Sequence, residues 1–222
     1  MDKRCRACES ELILVKDFGD HTIAHKYLTH EAEHIEKYNF NLHLCENCGL
    51  IQVYNPIPAE KLYSGFNYNF SSWKQEPHFN DELNMIFNSI KPASVCEVGA
   101  NDGKFLKAIK ESIGIEPNPE PLESAKAKDL AMVNSFLNKK TVKTIVKEYG
   151  RFDLVVFRQV LEHVHDLPEF FSCVNELLNE NGSLFIDVPD LEPSRTSGDV
   201  TTLWEEHVSY FTKFTLINTL NR

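Results

Sequence analysis

The sequence lacks the features of membrane-spanning and nucleic-acid-binding chains. No apolar run approaches the roughly 20 residues that a transmembrane helix needs. Acidic residues outnumber basic ones by 33 to 23, so the formal net charge is −10. A surface for phosphate backbones requires clustered Lys and Arg, which this balance disfavours. We therefore expect neither a membrane nor a nucleic acid among the partners, although a local site for a small anionic substrate stays open.

The N-terminal stretch also lacks the apolar core of a secretory signal. The stretch MDKRCRACESELILVKDF contains one run of four apolar residues, and acidic residues interrupt the rest. We therefore expect a cytoplasmic protein, in which cysteine thiols usually stay reduced. In that setting, paired cysteines indicate metal or redox chemistry before disulfides.

Four of the six cysteines form two C-x-x-C pairs, Cys5/Cys8 and Cys45/Cys48. This spacing lets two thiolates of one tight turn bind the same ion, and two such turns supply the four soft ligands of tetrahedral zinc. Because four thiolates leave no open coordination position, we expect a structural zinc ion. A redox pair, or a site completed by a histidine such as His43, is the alternative interpretation.

After residue 79 the sequence alternates between helical and strand patterns. Five apolar segments predict strands at 94–100, 113–117, 131–136, 152–157 and 183–189. Intervening amphipathic segments predict helices at 104–112, 119–130, 139–150 and 167–182. This alternation is typical of a parallel sheet with helices on both faces and right-handed crossovers.

Candidate ligand-binding groups follow the predicted strands at their carboxyl ends, where such sheets bind ligands. The first strand leads into Glu97-Val-Gly99-Ala-Asn101-Asp-Gly103, and Glu116 follows the second strand, nineteen positions after Glu97. An acid at about this offset commonly holds a ribose diol. Asn101 stands where a dinucleotide-binding fold has a glycine, so the loop disfavours NAD and favours a nucleoside without phosphates.

Two further strand ends carry polar and aromatic side chains. Asn134 and Phe136, after the third strand, are suited to an adenine, and Gln159 follows the fourth strand. Near the end of the chain, the stretch TTLWEEHVSYFT places Glu206 beside His207 among aromatic residues. By itself this stretch is compatible with an exposed acidic loop or with an acid/base group in a pocket.

Three stretches carry a family resemblance, namely CEVGANDGKFL, GIEPNPE and FDLVVFRQVLEHVHDLPEFF. They resemble the S-adenosylmethionine-dependent class I methyltransferases. The two C-x-x-C pairs, the stretch YSGFNYNFSSW and the later EEHVSYF are similar to the zinc-containing methyltransferases of deoxysugar and surface-glycan pathways, whose best-known members are sugar C-methyltransferases.

The resemblance implies a role for individual residues of this sequence. It implies zinc ligation by Cys5, Cys8, Cys45 and Cys48, and S-adenosylmethionine binding by Glu97, Gly99, Asn101, Gly103, Glu116, Asn134, Phe136 and Gln159. It further implies a catalytic group of Glu206, His207 and His163, in which His207 is the favoured base and His163 lies near the substrate.

The resemblance also implies an α/β fold: a class I, Rossmann-like parallel sheet with a small N-terminal zinc-binding domain. We place the zinc-binding domain and linker at 1–75 and the methyltransferase domain at 76–222. Members of this family continue further and add the last two strands of the sheet, so we expect those strands to be missing here.

Two positions depart from the family pattern. Trp204 stands where the family has a tyrosine, and the substrate tyrosine is either Tyr63 or Tyr68. The expected function is methyl transfer to a nucleotide-linked sugar or glycan precursor, with His207 as the general base for transfer to carbon. Transfer to oxygen of a sugar or small molecule, and a non-catalytic module that binds S-adenosylmethionine and zinc, are the alternatives. The sequence makes no prediction of oligomeric state.

Overall fold

The computed structural model describes residues 3–24, 30, 35–63, 76–109, 111–126 and 129–222. The chain forms two compact units. The first unit comprises Met1–Phe66, Leu161–Pro168 and Val188–Arg222, and the second comprises Asn67–Val160 and Glu169–Asp187. The domain boundary expected after residue 75 divides the chain differently, and that boundary stays a prediction.

The described residues contain nine strands, seven α-helices and two short 3-10 helices. The strands are β1 Leu12–His21, β2 Tyr38–Cys45, β3 Ile51–Val53, β4 Val95–Val98, β5 Ser112–Ile115, β6 Ala131–Val133, β7 Phe152–Arg158, β8 Leu178–Asp187 and β9 Ser209–Tyr210. The α-helices are α1 Ala59–Tyr63, α2 Phe79–Ser89, α3 Pro119–Lys126, α4 Lys139–Tyr149, α5 Leu167–Leu177, α6 Leu191–Ser197 and α7 Lys213–Leu220. The 3-10 helices are Leu106–Ala108 and Leu161–His163.

The first unit contains an antiparallel sheet in the order β1-β2-β3-β9. Its last strand comes from the far end of the sequence, since Tyr210 pairs with Ile51 and Ser209 pairs with Gln52. Leu42, Val53 and Tyr210 pack in one buried cluster. The segment that follows His207 is therefore fixed to the same sheet that carries the second cysteine pair.

The second unit contains a parallel sheet in the order β6-β5-β4-β7-β8. β4 lies at the centre, β5 and β6 extend to one side, and β7 and β8 extend to the other. β4 is buried at every position, as strands covered by helices on both faces usually are. The strands that follow β4 in sequence are thus added first on one side of it and then on the other. Ligands bind at the carboxyl ends of the strands at such a switch point.

The five strands predicted between 94 and 189 are confirmed, but three helices are shorter than expected. Helix α3, predicted at 119–130, ends at Lys126. Among the described residues of the segment predicted as a helix at 104–112, only Leu106–Ala108 is helical. The hydroxyl of Ser112, which begins β5, donates to the carbonyl of Ile109 at 2.9 Å and holds the chain in a turn. Helix α5 ends at Leu177, where β8 begins at once.

The second unit packs around a cluster from helix α2 and strands β4 and β7. Ile86, Val95, Leu154 and Val156 are fully buried in this cluster. Each such side chain contributes about 1.5–3 kcal/mol on burial, so the centre of the sheet is firmly held. None of the described helices is both long and apolar enough to cross a membrane.

Candidate functional site

The turn after β4 can be formed only by glycine at two positions. Gly99 has φ +72°, and a Cβ there would lie 2.4 Å from Cγ2 of Val160. Gly103 has φ +74°, and its Cβ would lie 2.2 Å from Cδ1 of Leu130. Left-handed backbone and lack of space therefore both select glycine. The result is a tight loop at the carboxyl end of β4, the place where parallel sheets bind ligands.

Glu116 closes this loop from the neighbouring strand end. Its Oε2 accepts a hydrogen bond from the backbone N–H of Asn101 at 2.9 Å, and its Oε1 accepts one from Asn118 at 2.8 Å. Burial raises the pKa of the Glu116 carboxyl above its ordinary value, although both N–H donors act in the opposite direction. We call the loop from Glu97 to Gly103, together with Glu116, the cradle.

Glu97 gives the cradle a second buried carboxyl group. The side chain is 3% exposed, and burial raises its pKa well above the ordinary value despite the opposing charge of Arg158. Its Oε2 has no hydrogen-bond partner within the described ranges. A buried acceptor of this kind suits an ammonium donor, such as the amino group in the methionine part of S-adenosylmethionine. The residues of the cradle thus fit that cofactor.

The three remaining candidate cofactor-binding residues follow other strands of the sheet. Nδ2 of Asn134 donates to the carbonyls of Glu116 at 2.9 Å and of Pro117 at 3.0 Å, so this side chain braces the end of β5. Phe136 is 45% exposed, which leaves its ring available to a ligand. Gln159 has φ 53°, and its N–H donates to the carbonyl of Asp187 at 2.8 Å. Their roles toward an adenine or a substrate stay predictions.

The four paired cysteines converge in the first unit. Their sulfur atoms all lie within 4.8 Å of one another; Cys5 Sγ is 3.6 Å from Cys48 Sγ, and Cys8 Sγ is 3.4 Å from Cys45 Sγ. All four are free of disulfides. Tetrahedral zinc with bonds of about 2.3 Å places its sulfur ligands about 3.8 Å apart, close to these separations. The arrangement fits structural zinc.

Neighbouring side chains support this thiolate site. Nε2 of Gln52 donates to Cys5 Sγ at 3.1 Å, while Oε1 of Gln52 accepts the backbone N–H of Arg6 at 3.0 Å. His43 lies outside the cysteine group, and Lys3 Nζ lies 2.8 Å from its Nε2. Sulfur ligation by four cysteines is therefore the geometry that the described residues offer.

Arg6, inside the first C-x-x-C, connects the thiolate site to the segment beside His207. One guanidinium nitrogen donates to the carbonyl of Val208, and the other donates to the carbonyl of Val53 at 2.7 Å. The N–H of Val53 donates to the same Val208 carbonyl at 3.0 Å. Because Val208 directly follows His207, the turn that carries Cys5 and Cys8 helps to fix the backbone at the histidine.

His207 lies in a tight turn enclosed by aromatic rings. Its N–H donates to the carbonyl of Trp204 at 3.0 Å, and the hydroxyl of Tyr210 donates to the same carbonyl at 3.0 Å. The rings of Trp204 and Tyr210 lie 5.4 Å and 6.1 Å from the imidazole. Glu206 is 1% exposed. The stretch around His207 is thus a packed turn, and an exposed acidic loop is ruled out.

His163 meets His207 from the 3-10 helix that follows β7 in sequence. The two imidazoles are 4.9 Å apart in a nearly perpendicular arrangement. His163 Nδ1 lies 3.0 Å from the carbonyl oxygen of Glu206 and 3.0 Å from the hydroxyl of Tyr63. Tyr63 is therefore the tyrosine that the structure places beside the histidines, and Tyr68 lies outside the described residues.

Glu162 completes this group and was not among the residues expected from the sequence. Three possible ligand atoms, one each from Glu162, His163 and His207, lie within 4.8 Å of one another. Glu162 Oε1 is 3.9 Å from His163 Nε2. The N–H of Val208 donates to the carbonyl of Glu162 at 2.8 Å, which joins the two segments. We call these three residues the histidine cluster. The adjacent Glu-His pair in LEHVHD is the only local signal for it.

Burial controls the protonation of this region. It lowers the pKa of His207 to about 4 and that of His163 to about 3, where the charge of His207 adds to the effect. Burial, with the charge of Glu205, raises the pKa of Glu206 to about 8. Near pH 7 both imidazoles are therefore neutral, and Glu206 is an uncharged acid. The catalytic role expected of Glu206 stays a prediction, and Glu162 is a second carboxyl group, within 4.8 Å of the imidazoles.

Comparison with protein families matches both parts of the chain. Residues 72–222 match the family described as "Methyltransferase domain". Residues 5–63 match the family described as "Putative zinc binding domain". The first match covers the cradle and the histidine cluster, and the second covers all four paired cysteines.

Two curated relatives cover more than half of this chain. The chain is similar to "C-methyltransferase NovU" of Streptomyces niveus, with 24% identity over 218 residues, which are 93% of this chain and 52% of that protein. It is also similar to a "Putative methyltransferase" of Dictyostelium discoideum, with 30% identity over 162 residues, 69% of this chain and 60% of that protein. The chain therefore spans about half of the first relative and three-fifths of the second.

A solved structure shares the fold of about two thirds of the chain. It is a SAM-dependent methyltransferase from Archaeoglobus fulgidus, with a TM-score of 0.52, 20% identity, and coverage of 64% of this chain and 66% of that one. The predicted fold class, a class I S-adenosylmethionine-dependent methyltransferase sheet with an N-terminal zinc-binding domain, is confirmed. The chain belongs to the family of methyltransferase domains.

Proposed function

We propose that this protein transfers a methyl group from S-adenosylmethionine to carbon of a nucleotide-linked sugar or related glycan precursor, with His207 as the general base. The observation that carries the proposal is the cradle, in which Glu116 is hydrogen-bonded to the loop at Asn101 and Glu97 is buried beside it. Similarity to a C-methyltransferase supports carbon as the attacked atom. The reaction is assigned to the cytosol, where the four thiolates stay reduced.

The cradle would bind the nucleoside through two carboxyl groups. Glu116 offers both oxygens at the carboxyl end of β5, where an acid accepts from the ribose hydroxyls. Glu97 offers Oε2 to the amino group of the methionine part. When bound, S-adenosylmethionine supplies an electrophilic methyl group on a sulfonium.

The histidine cluster would remove the proton. The neutral imidazole of His207 takes a proton from the carbon next to a sugar carbonyl, which leaves an enolate carbon as the nucleophile. This carbon forms a bond to the methyl group as the C–S bond breaks. The carboxyl group of Glu162 has an oxygen within 4.8 Å of a ring nitrogen of His207, and it would accept a hydrogen bond from the protonated imidazole.

His163 and Tyr63 would orient the substrate. Their contact at 3.0 Å fixes the imidazole, and the adjoining hydroxyl can donate to a sugar oxygen. Trp204 adds an aromatic wall on the other side of His207. The zinc ion supplies no step, because its four thiolate ligands fill the coordination sphere.

A labelled-methyl assay tests the proposal. Zinc-loaded protein is incubated with methyl-labelled S-adenosylmethionine and a set of nucleotide-linked keto-sugars, and the products are fragmented by mass spectrometry. We expect label on a carbon next to a carbonyl. Label on oxygen would replace the carbon mechanism by O-methylation. No labelled product, together with normal cofactor binding, would favour a non-catalytic binding module.

A further inference from the structure

The histidine cluster has the donor set of a metal site. Two imidazoles and one carboxylate offer ligand atoms that lie within 4.8 Å of one another. Such a set of two nitrogen ligands and one oxygen ligand suits borderline divalent ions of the first transition row. With bonds of about 2.0–2.2 Å, neighbouring ligands lie roughly 3–4 Å apart, so a small side-chain movement completes the geometry.

The tautomer of His163 is the one that a metal ligand requires. Its Nδ1 lies 3.0 Å from the carbonyl oxygen of Glu206, and a carbonyl can only accept a hydrogen bond. We therefore assign the proton to Nδ1, with the Tyr63 hydroxyl as a second acceptor at 3.0 Å, and this assignment leaves the lone pair on Nε2. Nε2 is the atom that lies 3.9 Å from the Glu162 carboxylate. Histidines that bind metals usually donate their other ring N–H to a carbonyl or carboxylate in this way.

The carboxylate of the cluster is held inside the first unit. Glu162 is 2% exposed in the 3-10 helix Leu161–His163, and one of its carboxyl oxygens lies within 4.8 Å of a ring nitrogen of each imidazole. A divalent ion at this point would bind the carboxylate and accept both imidazole lone pairs.

A second group of possible ligands in the other unit is a weaker candidate. It comprises His78, Glu82 and Asp187. There the guanidinium of Arg158 already donates to Glu82 at 2.9 Å, so a cation occupies the carboxylate. His78 is also exposed, whereas all three members of the histidine cluster are buried or half-buried.

We propose that Glu162, His163 and His207 form a second metal site that binds one divalent ion such as Zn²⁺ or Co²⁺, distinct from the four-cysteine site. A filled site uses the lone pair of His207. If His207 is the general base, a step that rests on the proposed function, bound metal blocks methyl transfer. The site would then act as an inhibitory metal site.

Cobalt titration of the zinc-loaded protein tests the proposal without any activity measurement. With zinc held by the cysteines, wild type should bind one Co²⁺ per chain, counted by equilibrium dialysis and elemental analysis. Its absorption should show the weak d–d bands of nitrogen and oxygen ligands and no intense thiolate charge-transfer band. Failure to bind Co²⁺, or binding only by displacement of zinc at thiolates, would overturn the proposal.

Matched variants locate the ion. Glu162→Gln and His207→Gln should weaken Co²⁺ binding by more than about 100-fold, since even outer-shell partners of metal ligands are worth 10–100-fold. His165→Gln, an equal change at a histidine outside the cluster, should bind as wild type does. Thermal melts establish that each variant is folded. Unchanged affinity in folded Glu162→Gln would contradict the proposal.

An activity arm separates this inference from the proposed function. Co²⁺ binding without turnover on any substrate would retain the metal site and discard the catalytic proposal. If spectroscopy shows that Co²⁺ fills the site and turnover is unchanged, the protein is still a methyltransferase, but His207 is not its base. Turnover without any cobalt site would retain the enzyme and discard the inference.

Discussion

The cradle and the histidine cluster are assembled in contrasting ways. The cradle joins two short segments, and its central hydrogen bond links Asn101 and Glu116, fifteen residues apart. The histidine cluster depends on contacts across 100 residues, from Tyr63 to His163, and across 202 residues, from Arg6 to Val208. A local motif therefore positions the cofactor candidates, whereas the fold of a whole unit positions the acid/base candidates. Perturbations of the two regions should be separable.

Loss of zinc should have the largest effect. Structural zinc supplies about 10–16 kcal/mol of binding free energy in zinc-finger peptides, and here it fixes the turn that contains Arg6. We expect Cys8→Ser to lower methyl transfer to background and to destabilise the first unit. Cys173→Ser, at a buried cysteine outside the metal group, is the control and should keep its zinc.

Binding of S-adenosylhomocysteine distinguishes the two regions in the same sample. Because the cradle lies in the second unit, Cys8→Ser should retain affinity for this product while activity is lost. Calorimetry and zinc analysis provide the measurement. Simultaneous loss of product binding would show that the two regions are not independent.

Replacement of the proposed base should be the next largest effect. We expect His207→Gln to lower kcat by about 10²–10⁴-fold, the range of a general base, with little change in product affinity. His165→Gln is the matched control. A wild-type kcat in folded His207→Gln would remove this residue from the base role.

The cradle can be perturbed alone at its first glycine. Gly99→Ala combines positive φ with a Cβ 2.4 Å from Val160, whereas Gly198→Ala has a left-handed backbone of φ +74° and ψ +19° and no atom within 4 Å of the added group. Left-handed backbone alone costs a non-glycine residue about 1–2 kcal/mol. We expect that loss of stability in both variants, and a further loss of stability and of product affinity only in Gly99→Ala. Equal melting temperatures and affinities would contradict the steric account.

The sequence predicted the cradle better than the cluster for a physical reason. Glu97, Gly99 and Glu116 are recognisable because strand ends and tight turns impose residue types at fixed spacing. The five parallel strands follow from apolar runs between amphipathic segments in the same way. Glu162 was missed, and the contact of Tyr63 with His163 could not be foreseen, because both depend on which distant segments pack together.

Protonation was equally hidden from the sequence. A histidine has an ordinary pKa near 6.5, and the pattern Glu206-His207 suggests a charged pair. Burial instead raises the pKa of Glu206 to about 8 and lowers that of His207 to about 4. Burial is a property of the packed unit, so no local motif reports it.

The smallest effect should come from the link between the metal turn and the cluster. Arg6→Lys keeps the charge but removes the planar guanidinium. A lysine therefore cannot donate to the carbonyls of Val208 and Val53 in the same geometry. We expect about a tenfold loss of kcat, since small misplacements of catalytic groups are costly, with product affinity unchanged. Arg4→Lys, at the arginine that contacts the Glu9 carbonyl on the surface, should have wild-type kcat. Equal values in the two variants would remove Arg6 from any positioning role.

The most direct test of the account is calorimetric titration of S-adenosylhomocysteine into zinc-loaded wild type and Glu116→Gln. The account predicts saturable binding at one site in wild type and at least about tenfold weaker binding in Glu116→Gln, because hydrogen bonds to a charged group contribute about 1.5–3 kcal/mol. Wild-type affinity should also fall as the pH drops through the raised pKa of Glu116, whose carboxyl then gains a proton. Absence of binding heat in wild type, or equal affinity in both proteins, would contradict it.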